Sequence, residues 1–184
     1  MPTCPPGQGG YAKADVAPLG ANNRVSKRQP SCNSRRVFLF QDTALSPELI
    51  HSFLETHYRV HQDGPDAPPL TLRVGQASAG LAALHRTNGV GCSAFLTAYN
   101  PFAQKVDQEV NQNRQEELKQ EISSRSLTFL PGEGQHPANG WPAEPSFLVL
   151  DLSLEAAKVM GRKYKQAAIV WSGPTAVPEL VLLQ

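Results

Sequence analysis

A chain of 184 residues, 40% hydrophobic and 18% charged, has the length of one domain with a tail and enough apolar residues for a real core. No run approaches the roughly 18 apolar residues of a membrane helix, which excludes a membrane-spanning reading of the sequence. The net charge of +1 hides an asymmetry: residues 1–40 hold six basic side chains against Asp15 alone and the remainder eleven basic against fifteen acidic, so the folded part disfavours a nucleic-acid surface.

Residues 1–40 are rich in Pro, Gly, Asn and Ser without helical or strand period, and are expected to form a disordered basic tail. They lack the basic-then-apolar pattern of a secretory leader. Cys4, Cys32 and Cys92 have neither disulfide-framework nor metal-ligand spacing, so a cytoplasmic setting is expected. Val37, Phe38, Leu39 and Phe40 are either an edge strand or an incidental apolar patch. A single globular domain is expected over residues 45–184.

Ser46, Pro47 and Glu48 open a helix, as N-cap, first-turn proline and an acid at the positive end of the dipole. Leu49, Ile50, Phe53, Leu54 and His57 share its core face. A strand over residues 58–60 turns through Asp63, Gly64 and Pro65 into an alternating strand over 70–74. Ser78 caps a short helix carrying Leu81 and Leu84, stopped by Asn88 and Gly89; His85 on it is expected to be exposed. Residues 91–99 are too apolar for a strand with one wet face, which places them centrally, with Cys92 as an inert buried thiol. Pro101 ends that strand, having no N–H for a ladder.

Asp107 caps the longest helix, running to about Ser124. Its apolar stripe of Val106, Val110, Leu118 and Ile122 is thin, so it is expected to lie on the surface, held along one edge. A strand over residues 127–130 precedes a loop of about fourteen residues to Glu144, a length that is often functional. Residues 146–150 form a strand, Ser153 caps a helix with Ala156, Val159, Met160 and Tyr164 on one side, and residues 167–171 form the next strand. That unit suits a right-handed parallel crossover or an antiparallel arrangement. A last strand covers residues 179–183. The expected architecture is α+β: a two-layer α/β sandwich with a mixed sheet of about six strands and about four helices.

Dinucleotide, phosphate-loop, zincin and nucleophile-elbow templates are absent. The five histidines are scattered, so no metal site is expected. The chemistry-bearing residues sit at strand ends. Gly132, Glu133 and Gly134 place a carboxylate between two permissive residues, and Glu133 with Glu144 is the candidate catalytic acid–base pair if burial splits their pKa values. Trp141 either caps the core or stacks on a ligand. Asn100 either binds its own backbone or offers a bidentate amide to a ligand. Ser146 and Gln166, both at strand starts, join them as ligand-binding candidates, and His136 is the histidine best placed to act as a base.

Thr97 to Phe102, Asn111 with Arg114 and Leu118, Leu130 to Gly134, Trp141 with Glu144 and Ser146, and Gln166 to Ile169 together resemble the bacterial family named domain of unknown function 3293. The similarity extends over about residues 45–183. It implies no assigned activity or cofactor, and it adds Tyr99 and Asn111 to the ligand-binding candidates. It also implies a Ser or Thr where Ala103 stands and an Asn where Ala167 stands. The function expected on these grounds is binding of a small polar ligand, such as a nucleotide or metabolite, in a polar loop cleft, with catalysis through Glu133 and Glu144 left open. The alternative is a non-catalytic protein-interaction module using the polar helix over residues 107–124.

Overall fold

The computed structural model describes residues 45–62 and 68–184. The expected basic tail, the apolar patch at residues 37–40 and the turn through Asp63, Gly64 and Pro65 lie outside the described residues. In chain order the elements are α1 (Pro47–Glu55), β1 (His57–Val60), β2 (Leu70–Leu72), α2 (Ala79–Thr87), β3 (Ser93–Leu96), a 3₁₀ turn (Pro101–Ala103), α3 (Gln108–Ser124), β4 (Phe129–Gln135), β5 (Glu144–Leu150), α4 (Leu154–Lys163), β6 (Ala168–Ser172) and β7 (Pro178–Leu182). Three of the helices start where a serine can satisfy an orphan N–H. Ser46, Ser78 and Ser153 accept from the N–H of Leu49, Leu81 and Ala156, as N-cap residues do. Asp107 precedes α3 without a side-chain cap bond.

The fold is α+β, with the described residues forming one sheet of seven strands in the order β2-β1-β4-β5-β3-β6-β7. Every neighbouring pair is antiparallel, which corrects the expectation of a mixed sheet of about six. The unit β5-α4-β6 shows the physical reason. Its two strands run in the same direction but do not pair, because β3 lies between them and is antiparallel to both. The helix therefore spans one intervening strand, a split form of the strand-helix-strand crossover.

Side chains alternate across a strand, and here both faces of the central strands are apolar. On one face Ala94, Leu96, Phe147, Val149 and Ile169 pack against Leu118 and Ile122 of α3 and Ala157 and Met160 of α4. On the other, Phe95, Leu148, Leu150 and Val170 meet Leu81 of α2, while Ile50 of α1 packs with Ala167, Leu180 and Leu182. Helices thus cover both faces, giving three layers where two were expected.

Several residues depart from their expected places, among them Leu54, which is exposed instead of lying on the core face of α1. His57 falls in β1, since Thr56 is extended and ends α1. His85 is buried at 4% exposure, with its Nε2 2.9 Å from Ser93 Oγ, and burial lowers its pKa, so the expected exposed histidine is a neutral core group. On α4, Val159 is 61% exposed and Ala157 takes the inner position. Among the described residues no helix is long and apolar enough to cross a membrane.

A cleft between α1 and the sheet as the candidate functional site

β4 is longer than its apolar pattern suggests. It pairs with β5 from Phe129 to Gly134 and with β1 from Gly132 to Gln135, so the expected long loop shrinks to residues 136–143. Gly132 and Gly134 lie within a strand rather than in a turn. The two-residue period of that strand then separates the two carboxylates. Gly134 is opposite Glu144, and Gly132 is opposite Ser146, which puts Glu144 and Ser146 on the face of Tyr58 and Phe95. Glu133 projects from the other face, where its Oε1 accepts from Arg59 Nη1 at 3.2 Å. The expected acid–base pair is therefore not assembled.

The segment after β3 has a constrained backbone. Asn100, Phe102 and Ala103 have φ of 44°, 55° and 57°, in the left-handed region where each non-glycine residue costs about 1–3 kcal/mol. The polar residues of α3 hold it there. Asn111 Oδ1 accepts from the Asn100 N–H at 2.7 Å, and Asn111 Nδ2 donates to Asn100 Oδ1 at 3.0 Å. Gln115 Oε1 accepts from the Ala98 N–H at 2.8 Å. Arg114 donates through Nε to the Ala98 carbonyl at 2.9 Å and through Nη2 to the Tyr164 carbonyl at 2.6 Å. Gln166 Nε2 donates to the Tyr99 carbonyl at 2.9 Å.

These bonds explain why the inner edge of α3 is Asn111, Gln115, Leu118 and Ile122. The expected stripe is correct at Leu118 and Ile122, whereas Val106 and Val110 are exposed. A helix whose first turns must satisfy a strained loop needs amide side chains there. Replacing Asn111 by Ala removes the acceptor for the Asn100 N–H and leaves part-buried polar groups unpaired, so we expect a loss of about 1–3 kcal/mol in chemical denaturation. An unchanged midpoint would mean that Asn111 does not hold the loop.

What the loop holds in place is Asn100, whose Nδ2 donates to Glu144 Oε1 at 2.5 Å. Trp141 Nε1 donates to the same oxygen at 2.8 Å. This group closes one end of a cavity of about 150 Å³ between α1 and the sheet. Leu49 and Phe53 of α1 form one wall, and Tyr58, Phe95, Val170 and Leu180 of the sheet form the other. Tyr58 is buried, with its hydroxyl donating to the Phe53 carbonyl at 2.8 Å. Burial, with the charge of Glu144 adding to it, raises the Tyr58 pKa well above the ordinary tyrosine value.

Of the residues named from the sequence, Asn100, Trp141, Glu144, Ser146 and Gln166 line this cavity, while Tyr99 and Asn111 do not. Ala103 and Ala167, where the resemblance implies polar side chains, both line it. His136 also lines it, but its Nδ1 accepts from the N–H groups of Ala138 and Asn139 at 3.0 and 2.9 Å. Its Nε2 lies 3.2 Å from Glu55 Oε2. Both ring nitrogens are occupied, so no lone pair is left for the role of base.

Sequence reasoning missed the α1 wall and Phe95, because their apolar spacing reads the same whether a residue packs in a core or faces a cavity. Among the described residues no group of three or more His, Cys, Asp or Glu side chains is arranged to hold a metal ion.

Neither the curated proteins nor the solved structures contain a match to this chain. A family model does match, over a shorter stretch than the motifs suggest, and that stretch includes Asn100, the amide edge of α3, Glu144 and Gln166. Residues 96–169 match the family described as Protein of unknown function (DUF3293), the family that the separated motifs resemble.

Proposed function

We propose that this domain binds a small organic molecule in the cleft between α1 and the sheet, with the molecule's polar end at Glu144. The observation that supports this reading is a cavity lined by apolar side chains of α1 and the sheet together with Asn100, Trp141 and Glu144, whose side chains are already oriented by hydrogen bonds, which is the usual build of a ligand site. Maintaining three left-handed residues there costs stability, and such strain collects at functional sites. The ligand is thus amphipathic rather than polar throughout. Among the described lining residues there is no Lys or Arg, which weighs against the phosphates of a nucleotide. With Glu133 on the far face, a single carboxylate remains, and the reading is one of binding rather than catalysis. The cysteine spacing supports placing this activity in the cytoplasm.

A second reading, in which the region of α3 meets a protein partner, draws support from Phe102, Val106 and Val110, which are 46%, 38% and 47% exposed within nine residues of chain. The cleft is the better supported of the two, because it accounts for the polar edge of α3 as well.

The test is a thermal-shift screen of the full chain against small amines, alcohols, acids and metabolites, in parallel with Gly134→Leu. The atoms nearest a Cβ at Gly134 belong to Thr56 and Tyr58, at ordinary contact distances of 3.7–3.9 Å, so the backbone there accepts a Cβ, from which the leucine side chain would extend into the cleft. A ligand at a hundredfold excess over its Kd should stabilise the parent by roughly 3 kcal/mol and leave Gly134→Leu unmoved. A screen without hits, or hits shared equally by both chains, would overturn the reading.

A further inference from the structure

We infer that the molecule taken by this cleft is a small organic cation, an ammonium group on a ring-sized apolar body, recognised by the Glu144 carboxylate; the inference rests on the cleft being a binding site. The geometry of the carboxylate points to that class. Asn100 and Trp141 both donate to Oε1, so the two neutral donors fix the orientation of the group and leave Oε2 without a hydrogen bond among the described residues. Glu144 is half-buried and is the one Asp or Glu among the described lining residues. Among those residues it also has no ion-pair partner.

A carboxylate drawn partly out of water and held rigid without a cation is an incomplete pair. Desolvation costs it hydration that a neutral donor restores only in part and a bound cation restores more fully. Two basic groups at this end of the cavity, His136 and Lys105, have other partners. His136 uses both ring nitrogens elsewhere. Lys105 lies against the ring of Trp141, with its Nζ 4.8 Å from the centroid, and is solvent-exposed.

The remaining walls suit the rest of such a molecule. Phe53, Tyr58, Phe95 and Trp141 all line the cavity, and aromatic faces attract a cation as well as packing against an apolar ring. A cavity of about 150 Å³ is of the size that takes one benzene-like ring. An anionic ligand would meet the charge of Glu144 with no Lys or Arg among the described lining residues to offset it.

The experiment uses three probes with one ring and three charges: benzylamine, benzyl alcohol and benzoate. Each is titrated into the full-length chain while the indole N–H resonance of Trp141 is followed by NMR, with Trp141→Phe identifying that resonance. We expect benzylamine to bind at least tenfold more tightly than benzyl alcohol, and benzoate not to bind. In Glu144→Gln, benzylamine should weaken to about the affinity of benzyl alcohol, which should itself change little. Equal affinities for amine and alcohol in the parent chain would overturn the cation assignment and leave the cleft standing. If none of the three probes moves the resonance, the cleft reading falls with it. The charge series in the parent chain decides the matter even if Glu144→Gln does not fold.

Discussion

Gly132→Ala is expected to lower stability by about 2–3 kcal/mol, whereas Gly134→Ala, two residues further along the same strand, should stay within about 1 kcal/mol of the parent. Neither glycine has a positive φ, so backbone preference alone would make either substitution mildly stabilising, by about 0.4–1 kcal/mol. Space reverses the sign at one of them. A Cβ on Gly132 would run into the backbone carbonyl oxygen of Arg59 and lie 3.0 Å from Cε2 of Phe95. The Arg59 carbonyl belongs to β1, whose ladder with β4 holds it in place, and the Phe95 ring is packed edge-on against Tyr58 at 5.3 Å. Neither yields without breaking another contact, and overpacking of this kind costs about 1–3 kcal/mol. A lower denaturation midpoint with an unchanged slope on urea would report that loss. Equal midpoints for the two variants would mean that β1 and Phe95 can shift at little cost.

The same pair of glycines shows how far the sequence can be read. From the chain alone, Gly132-Glu133-Gly134 has the composition of a turn that presents a carboxylate, and its flanking proline and following polar residues strengthen that impression. The structure makes it a strand because its partners on both sides, β1 and β5, supply the ladder, and pairing partners distant in sequence leave no local trace. The place of Glu133 follows from the strand period once the strand is known.

Elements with strong local signals were legible: the serine caps of α1, α2 and α4, the buried run of β3, and the motif residues Asn100, Trp141, Glu144, Ser146 and Gln166 that share the cavity. The order of the sheet was not, because β3 enters between β5 and β6 from 48 residues before β5 starts. The roles of Asn111 and Gln115 were hidden for a related reason. A polar residue on a polar helix reads as solvated until the strained loop that it satisfies is on the page.

Leu118→Ala is expected to cost about 3 kcal/mol and also to weaken binding in the cleft, although Leu118 does not line it. The side chain is fully buried at 0% exposure, and truncating a buried leucine costs about 2–5 kcal/mol through lost burial and the void left behind. Leu118 and Ile122 are the buried apolar anchors of α3, so the loss falls on half of the helix's apolar hold on the core. The consequence for the cleft follows from what the same helix carries. Asn111, Arg114 and Gln115, within the two turns before Leu118, hold Ala98 and Asn100 by their backbone groups, and Asn100 in turn orients Glu144. Loosening the helix releases three left-handed residues toward relaxed conformations and lets the carboxylate turn. Val159→Ala, on an exposed face of α4, is the matched control and should move neither stability nor binding by more than about 0.5 kcal/mol. Chemical denaturation and a benzylamine titration on both variants separate the two effects. If Leu118→Ala loses stability but binds benzylamine as the parent does, α3 serves the core alone and the loop is held by Gln166 and the sheet.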